Sequence, residues 1–305
     1  MVKDFTQLDW DEQLEDDCRQ LVRLAVREDL DRGSDLTTIA LVSDEAIGRA
    51  SIVARERGVV AGLAACQVTL DEMEVQLNWN VLIEDGLPID PGQTIVELSG
   101  LTRHMLTCER LLLNFLGRLS GIATLTSKYV DKVAGSKAKV YDTRKTTPGW
   151  RRLEKYAVRC GGGRNHRIGL FDAILIKDNH LAQLGTVRSP AEAIDTARKF
   201  IQQSMSDKER SSAIIIEVEV DNLDQLREVL PQRPDIVLLD NMSIVQLREA
   251  VDIRDKINPQ VDLEASGGIT LEIVELIAAT GVERISVGAL THSAMSFDVG
   301  MDWKV

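Results

Sequence analysis

From Lys139 onward, short apolar runs rich in β-branched residues alternate with longer amphipathic stretches. Apolar runs of this kind indicate buried strands, and apolar positions spaced three and four apart indicate helices. The predicted strands are 139–142, 173–178, 213–220, 235–240, 261–267 and 284–288. Predicted helices begin at or after Pro190, Asn222, Ser243 and Thr270, and the hydroxyls of Ser243 and Thr270 suit helix N-caps. This alternation predicts βαβ units and a parallel sheet.

The predicted strands end on charged, hydroxyl or glycine residues, which helps to decide between two parallel architectures. These ends carry Asp142 to Lys145, Lys177, Glu219, Asp240, Ser266 and Gly288. In an α/β barrel the C-terminal ends of all strands converge on one mouth, where the chemistry takes place. In an open doubly wound sheet the site would instead lie at one crevice, where the strand order reverses. Polar residues at every strand end therefore favour the barrel.

The N-terminal part of the chain follows a different pattern. Residues 47–62 and 77–100 alternate apolar and polar positions around Gly and Pro turns, as half-buried strands do. A long helical pattern follows Thr102. These features predict a second domain of the α+β class, which the helix connects to the barrel.

Charge is distributed unevenly along the chain. The formal net charge is −12, yet residues 142–180 contain nine Lys and Arg against four Asp and Glu. The acidic balance and an aromatic content of 4% argue against a nucleic-acid surface, which needs a basic stripe and stacking side chains. A small anion is the expected partner of the basic stretch, and a solvated basic surface is the simpler alternative.

Composition also bears on the cellular compartment. The four cysteines, Cys18, Cys66, Cys108 and Cys160, are isolated from one another, so neither a zinc site nor a disulfide framework is indicated. The N-terminal residues are acidic and lack the apolar core of a signal peptide, and no apolar run approaches membrane-spanning length. The sequence predicts a soluble, cytoplasmic protein without a membrane partner.

Basic side chains from different loops and strand ends are candidates for binding the anion, and a barrel would bring them to one mouth. They are Arg144, Lys145, His166, Arg167 and Lys177. A guanidinium group binds carboxylate or phosphate through paired hydrogen bonds, and lysine supplies a compact point charge. Lys177 is also a candidate for a Schiff base, although its cationic surroundings equally suit anion binding.

Two glycine-containing strand ends are candidates for binding phosphate through bare backbone amides. They are Ser266 with Gly267 and Gly268, and the later Gly288. A phosphate held by the last strands is a recurring feature of α/β barrels. Tight-turn geometry is the alternative explanation for these glycines.

Two carboxylates end neighbouring predicted strands. Glu219 and Asp240 are candidates for binding sugar hydroxyls or a magnesium ion shared with substrate phosphates. A structural ion pair with a nearby Lys or Arg is the alternative for each. We expect Glu217 to point to the opposite side of its strand from Glu219. We expect no zinc, because no histidine pair has metal-ligand spacing.

Ordered motifs give the chain a resemblance to a known family. They are 143–149 (TRKTTPG), 153–158, 161–170 (GGGRNHRIGL), 175–180 (LIKDNH), 217–220, 238–242, 264–269 (EASGGI) and 285–293, with 28–38 and 109–124 nearer the N-terminus. Together they resemble quinolinate phosphoribosyltransferase. The resemblance implies a magnesium-dependent reaction of quinolinate with phosphoribosyl pyrophosphate. The products would be nicotinate mononucleotide, pyrophosphate and carbon dioxide, in de novo NAD synthesis.

The same resemblance implies an architecture. It consists of an N-terminal open α/β sandwich and an incomplete, seven-stranded α/β barrel, with the C-terminal tail returning to the first domain. We accordingly expect a sandwich domain at 1–115 joined by the tail 293–305, and a catalytic barrel at 116–292. A homodimer with shared active sites is implied, with further assembly into a hexamer left open.

The resemblance also implies roles for individual residues. Arg144, His166, Arg167 and Lys177 would hold the two quinolinate carboxylates, and Lys145 would lie towards the pyrophosphate. Glu219 and Asp240 would face the ribose and the magnesium ion, and Ser266, Gly267, Gly268 and Gly288 would bind the 5-phosphate. Arg110 would reach the active site of the neighbouring subunit. Lys145, Glu219 and Asp240 are accordingly the expected catalytic residues.

Three alternatives remain open from the sequence. A nicotinate phosphoribosyltransferase would use a substrate with one carboxylate, and the abundance of cations argues against it. A barrel lyase would use Lys177 as a Schiff base. A non-catalytic relative that binds another anionic metabolite would have lost part of the cation set, whereas this chain carries all of it.

Overall fold

The computed structural model describes residues 3–183, 189–204 and 213–304. The residues group into two compact units. The barrel unit consists of Met1–Gln7, Lys128–Arg144 and Arg164–Ala289, and the antiparallel unit consists of Leu8–Ser127, Lys145–Gly163 and Leu290–Val305.

The antiparallel unit is built on a four-stranded sheet. Its strands are β1 (Ile47–Ala54), β3 (Leu77–Val81), β5 (Thr94–Leu101) and β12 (Val299–Trp303), in the order β12-β1-β5-β3, and β2 (Gly58–Val59) pairs with β4 (Pro88–Ile89). Its helices are α1 (Glu12–Leu30), α2 (Leu36–Leu41), α3 (Leu63–Glu72) and α5 (Arg151–Cys160). Helix α4 (Thr102–Val133) begins in this unit. The strands predicted within 47–62 and 77–100 are confirmed, as is the helix after Thr102.

Apolar periodicity explains why α4 packs against this sheet. Met105, Cys108, Leu112 and Leu116 recur at helical spacing, and all are fully buried in a core shared with the strands. Ile52 of β1 and other strand residues form the opposite side of this core. Such a one-sided apolar stripe is what a helix needs in order to cover a sheet face.

The barrel unit contains a six-stranded parallel sheet within the described residues. Its strands are β6 (Lys139–Tyr141), β7 (Ala173–Ile176), β8 (Ile215–Val220), β9 (Ile236–Asp240), β10 (Asp262–Ser266) and β11 (Arg284–Ser286). The helices are α6 (Asp178–Gln183), α7 (Pro190–Ser204), α8 (Leu223–Val229), α9 (Ile244–Ile257), α10 (Val274–Ala278) and α11 (Ala289–His292), with a 3₁₀ turn at Leu230–Gln232. Every predicted barrel strand is confirmed, with the ends shortened.

The strand order identifies a rolled sheet. Strands β7 to β11 are neighbours in chain order, and β6, the first strand of the unit, pairs with β11, the last. A sheet whose first strand returns beside its last is curling into a barrel. It is incomplete among the described residues, where an isolated bridge between Tyr141 and Arg164 extends the β6 edge. The expected count of seven strands stays a prediction.

Of the two predicted helix N-caps, Ser243 and Thr270, the structure confirms the first. The Ser243 hydroxyl accepts from the Gln246 N–H, and the Gln246 side chain accepts from the Ser243 N–H, which is a complete capping box at the start of α9. The expectation for Thr270 is wrong, because α10 begins at Val274 with Ile273 as its N-cap. The Thr270 carbonyl instead accepts from Ile273 and Val274 and closes a turn before the helix.

The units divide the chain differently from the predicted domain limits. The expected boundary between residues 115 and 116 falls inside the continuous helix α4. The C-terminal strand β12 pairs with β1 in the antiparallel sheet. Within the described ranges, no helix has the length and apolar character needed to cross a membrane.

Candidate active site

Four polar side chains lie at or near the C-terminal ends of adjacent barrel strands. Lys177 follows β7, Glu219 is the penultimate residue of β8, and Asp240 and Ser266 end β9 and β10, where they are register partners. The Lys177 ammonium forms an ion pair with the Glu219 carboxylate. Burial raises the pKa of Glu219, as do the charges of Asp240 and Asp178, whereas Lys177 acts to lower it. The predicted mouth is therefore present, with its carboxylates close enough to influence one another.

The turn after β10 requires glycine. Gly267 has φ +97° and Gly268 φ +59°, which are left-handed conformations that favour glycine. A Cβ on Gly267 would lie 2.2 Å from Asn241 Oδ1, whereas a Cβ on Gly268 would meet no heavy atom within 4 Å. Asn241 closes the turn, since its N–H donates to the Ser266 carbonyl and its side chain donates to Asp240. Tight-turn geometry thus accounts for Gly267, and Gly268 leaves open space beside the backbone. Gly288 follows β11 and is half-buried.

Arg144 and Arg167 form the most unusual feature of the barrel unit. Neither guanidinium forms an ion pair with a carboxylate within the described residues, and the buried Arg144 Nε has no hydrogen-bond partner there. Burial lowers the pKa of Arg167, and the neighbouring positive charge of Arg144 lowers it further, while Glu217 and Asp172 act in the opposite direction. Two neighbouring cations without a paired anion define a position for a ligand with more than one negative charge.

His166 lies in the barrel interior rather than in an open loop. His166 is 6% exposed, and its ring stacks on that of Phe5 with 4.2 Å between the ring centroids. Its Nε2 lies 3.0 Å from Glu217 Oε2 and 3.4 Å from Glu264 Oε1. The sequence groups His166 with the basic side chains of the barrel mouth, whereas the structure buries it in the interior. Its assignment to carboxylate binding stays a prediction.

The charge of His166 reflects competing neighbours. Burial alone would lower the pKa of His166, but Glu217 and Glu264 outweigh it and raise the pKa to about 10. The Arg167 N–H also opposes protonation, since it lies 2.7 Å from Nδ1 and can donate only to a neutral ring. The carboxylates dominate, because two anions that are fully buried need a counter-charge.

The expectation for Glu217 is wrong. Residues two apart in a strand face the same side, so Glu217 and Glu219 both point into the barrel, at different depths. Glu217 is fully buried, and its Oε2 faces His166. The period of two along a strand is the sequence signal that places Glu217 and Glu219 on one side.

A charge network that the sequence analysis missed surrounds His166. Arg284 Nε donates to Glu264 Oε2 at 3.0 Å, and Arg284 Nη1 donates to Asp4 Oδ1 at 2.9 Å. The ligand atoms of His166, Glu217 and Glu264 lie within 4.8 Å of one another, a spacing that a metal ion could use. The adjacent Arg284 cation and the protonated imidazole already balance these carboxylates, so the cluster fits a structural ion-pair network better than a metal site.

Two predicted site residues belong to the antiparallel unit. Lys145 is exposed, and its carbonyl accepts from the Thr291 hydroxyl at 2.7 Å. Arg110 is exposed on α4, one and two turns after Thr107 and Arg103 on the same helix face. Arg103 donates to the Val42 carbonyl at 2.8 Å and so fastens the end of α2 to this face.

An α/β barrel that holds the cationic pair Arg144 and Arg167 and carries polar side chains at its strand ends defines the class of barrel enzymes that act on anionic substrates. Residues 35–120 match the family described as quinolinate phosphoribosyl transferase, N-terminal domain, and residues 122–302 match its C-terminal domain. These matches together span most of the chain.

Individual proteins of this family are similar to the chain over most of its length. A nicotinate-nucleotide pyrophosphorylase (carboxylating) of Mycobacterium leprae is 44% identical over 94% of this chain and 97% of its own length. A probable nicotinate-nucleotide pyrophosphorylase (carboxylating) of Bacillus subtilis is 40% identical over 90% and 89%. The structure of the nicotinate-nucleotide pyrophosphorylase from Francisella tularensis has a TM-score of 0.88 at 36% identity, covering 99% of this chain and 100% of that one. The chain belongs to the quinolinate phosphoribosyltransferase family.

The raised pKa of His166 predicts a pH-dependent stability. Between the ordinary histidine pKa of about 6.5 and the folded value, the folded state keeps a proton that the unfolded state has released. The stabilisation is complete below about pH 6.5 and is lost as pH rises through about 10. From pH 7 to pH 9, the stability advantage over a His166→Gln variant should shrink, by at most about 1.4 kcal/mol per pH unit. Urea unfolding at each pH measures this.

The exposed His292 gives the matched control, since a His292→Gln variant should follow the unaltered protein at every pH. A stability difference between the unaltered protein and His166→Gln that stays constant from pH 7 to pH 9 would contradict a charged His166.

Proposed function

We propose that this chain transfers a phosphoribosyl group from phosphoribosyl pyrophosphate to quinolinate and releases carbon dioxide. The products are nicotinate mononucleotide and pyrophosphate, as in de novo NAD biosynthesis. The observation that carries the proposal is the Arg144–Arg167 pair, which lacks a carboxylate partner among the described side chains. The names of the relatives support the same reaction.

Quinolinate suits the cation pair because it carries two adjacent carboxylates. Each guanidinium can bind one carboxylate through two parallel hydrogen bonds, and the dianion removes the repulsion between Arg144 and Arg167. Lys177 supplies a further positive charge at the same mouth. The protonated His166, which precedes Arg167 in the chain, adds positive charge close to the cation pair. Nicotinate, with one carboxylate, would leave one cation uncompensated.

The phosphoribosyl pyrophosphate occupies the later strand ends in this proposal. Ser266, Gly267, Gly268 and Gly288 bind the 5-phosphate, for which the open space at Gly268 leaves room. Glu219 and Asp240 face the ribose, and Lys145 lies towards the pyrophosphate. These assignments follow the family resemblance, and the placement of most of them at neighbouring strand ends supports them.

A magnesium ion is the cofactor that we propose. Asp240 and Glu219 would hold it, directly or through water, because hard cations prefer carboxylate oxygens and need only one or two of them beside substrate phosphates. The residues suit the ion because, beyond the effect of burial, the neighbouring Asp240 and Asp178 charges raise the pKa of Glu219, and a cation would offset this repulsion. When bound, the ion supplies neutralising charge to the pyrophosphate.

The protein's part in the reaction is to position and to stabilise charge. The quinolinate ring nitrogen forms a bond to ribose C1 while the C1–O bond breaks and pyrophosphate leaves with the electron pair. The carboxylate beside the new pyridinium nitrogen then leaves as carbon dioxide. The electrons of the broken C–C bond stay on the ring carbon, where they form a C–H bond with an incoming proton. The protein supplies no nucleophile, and Lys177 is ion-paired with Glu219, whereas a Schiff-base lysine must be neutral.

We also propose a homodimer with shared active sites. Exposed apolar side chains lie on α2, where Leu36 is 80%, Ile39 50% and Leu41 79% exposed. Surfaces of this kind mark sites of association. Because Arg103 fastens α2 to the α4 face that carries Arg110, a partner covering α2 would lie close to Arg110. Further assembly into a hexamer is not part of this proposal.

A cytoplasmic location completes the proposal. All four cysteines are free, and three of them are buried. Burial raises the pKa of the Cys18 thiol to about 12, which makes it a poor nucleophile towards oxidants. Four unpaired thiols fit a reducing compartment.

Turnover tests the reaction. Incubation with phosphoribosyl pyrophosphate, magnesium and quinolinate should yield nicotinate mononucleotide and carbon dioxide in equal amounts. Nicotinate should react at least about tenfold more slowly, because it pairs with only one of the two guanidinium groups. Chelation of magnesium should abolish the rate. Absence of product from quinolinate, or an equal rate with nicotinate, would refute the proposed function.

Subunit complementation tests the shared site. Arg110→Ala and Lys177→Ala should each be nearly inactive, yet mixed dimers contain one unaltered site, so an equal mixture should recover about a quarter of the activity. A mixture of Arg144→Ala and Lys177→Ala is the control, since both residues would come from the same subunit and no intact site can form. Lack of recovery despite subunit exchange seen by mass spectrometry would show that Arg110 acts elsewhere.

A further inference from the structure

The N-terminal segment, defined as Lys3–Gln7, belongs to the barrel unit although the next residues belong to the antiparallel unit. It lies outside both family-matched ranges, 35–120 and 122–302. Three of its side chains, those of Asp4, Phe5 and Gln7, contact residues 164–166, which lead directly into Arg167.

Phe5 packs against His166 within the barrel unit. The Phe5 residue is 5% exposed, and its ring stacks on the imidazole at 4.2 Å with an angle of 29° between the planes. The Arg284 guanidinium lies 5.0 Å from the centre of the same ring. Phe5 therefore covers the His166–Glu217–Glu264–Arg284 network and keeps its charges away from water, which strengthens their interactions.

Gln7 holds the residue before His166 by its backbone. The Gln7 side-chain amide donates to the Asn165 carbonyl at 3.1 Å and accepts from the Asn165 N–H at 2.9 Å. One side chain thus makes both hydrogen bonds that a neighbouring strand would make. This fixes the path of the chain at Asn165, two residues before Arg167.

Two aspartates, Asp142 and Asp4, also hold residues 164–166 in place through hydrogen bonds. Asp142 accepts from the Asn165 side chain at 2.7 Å and from the His166 N–H at 2.9 Å. Asp4 accepts from Arg164 at 2.7 Å and from Arg284 at 2.9 Å. Residues 164–166 are therefore held by the N-terminal segment on one side and by the end of β6 on the other.

The backbone that carries Arg167 must be held firmly, because the Arg167 guanidinium has no carboxylate ion-pair partner in the part of the chain that the structure describes. The nearby Arg144 charge repels it, so the guanidinium would move towards water unless the backbone that carries it were fixed. On its other side the backbone is also held, since the Ile168 and Gly169 N–H groups both donate to Asp172.

We propose that the N-terminal segment is a positioning element of the active site, which acts through Asn165 and His166 to hold Arg167 beside Arg144 in the geometry that binds the dicarboxylate. Phe5 and Gln7 are the positioning residues. This inference rests on the proposed function, because it takes quinolinate as the ligand of the cation pair. It assigns a role in quinolinate binding to a segment that lies outside both family-matched ranges.

The test measures quinolinate and phosphoribosyl pyrophosphate separately. Phe5→Ala and Gln7→Ala should each raise the KM and the calorimetric Kd for quinolinate between about tenfold and a hundredfold, since small misplacements of a binding group have such effects. The KM for phosphoribosyl pyrophosphate should stay within about twofold, because its groups lie on other strand ends. Phe5→Leu, which keeps an apolar cover, should recover most of the quinolinate affinity.

Lys3→Ala gives the matched control. Lys3 lies in the same segment but donates to the Ile214 carbonyl and pairs with Asp235, away from residues 164–167. It should leave both KM values unchanged. If either Phe5→Ala or Gln7→Ala proves too unstable to purify, the other decides the question.

The outcomes separate this inference from the proposed function. Failure of the unaltered chain to bind quinolinate would refute the function itself. Binding by the unaltered chain that is unchanged in Phe5→Ala and Gln7→Ala, or a loss that affects both substrates equally, would overturn the positioning role. A lower unfolding temperature with unchanged quinolinate KM would show that the segment serves stability alone.

Discussion

The structure depends on keeping two positive charges, Arg144 and Arg167, side by side without an anion from the described chain. Such a pair is unstable by itself, because like charges repel and partial burial removes the water that would screen them. The barrel unit holds the pair by fixing the backbone around it, and a dicarboxylate would complete it. The repulsion between the two guanidinium groups is thus also the source of affinity for a ligand with two negative charges.

Behind this pair, the barrel interior carries charges that a simple apolar core would lack. Glu217, Glu264 and Arg284 are almost fully buried, and each faces an opposite charge. Removing one member of such a network typically costs roughly 3–5 kcal/mol, because its partner is left buried and unpaired. The network therefore favours one arrangement of the strands and of the segment that contains His166. It supplies a rigid base for the cations at the mouth.

Much of the fold could be predicted because its signals are local. Apolar runs located each of the six parallel strands among the described residues, and the hydroxyl of Ser243 located the start of α9. The N-cap expectation for Thr270 was wrong because a hydroxyl before an apolar run also suits a turn, and Thr270 closes a turn that precedes α10. The number of strands that close a barrel depends on pairing between distant segments, which periodicity does not report.

The site was predictable in its cations and less so in their environment. Arg144, Arg167 and Lys177 could be named because a cluster of basic residues in an acidic chain is visible in the sequence. His166 was misplaced because its partners, Glu217 and Glu264, lie on strands far away in the chain. Phe5 and Gln7 carry no periodic signal at all, and their role depends on where an acidic N-terminal stretch returns to the barrel unit.

Recognition of a dicarboxylate by the Arg144–Arg167 pair is tested most directly by calorimetry, which compares the binding of quinolinate and nicotinate to the unaltered protein and to Arg144→Lys. Quinolinate should bind the unaltered protein at least about a hundredfold more tightly than nicotinate, because only the dianion pairs with both guanidinium groups. Arg144→Lys should lose most of that preference, since lysine keeps the charge but not the paired hydrogen bonds. Equal affinity of the unaltered protein for the two acids would contradict the central claim that the cation pair recognises a dicarboxylate.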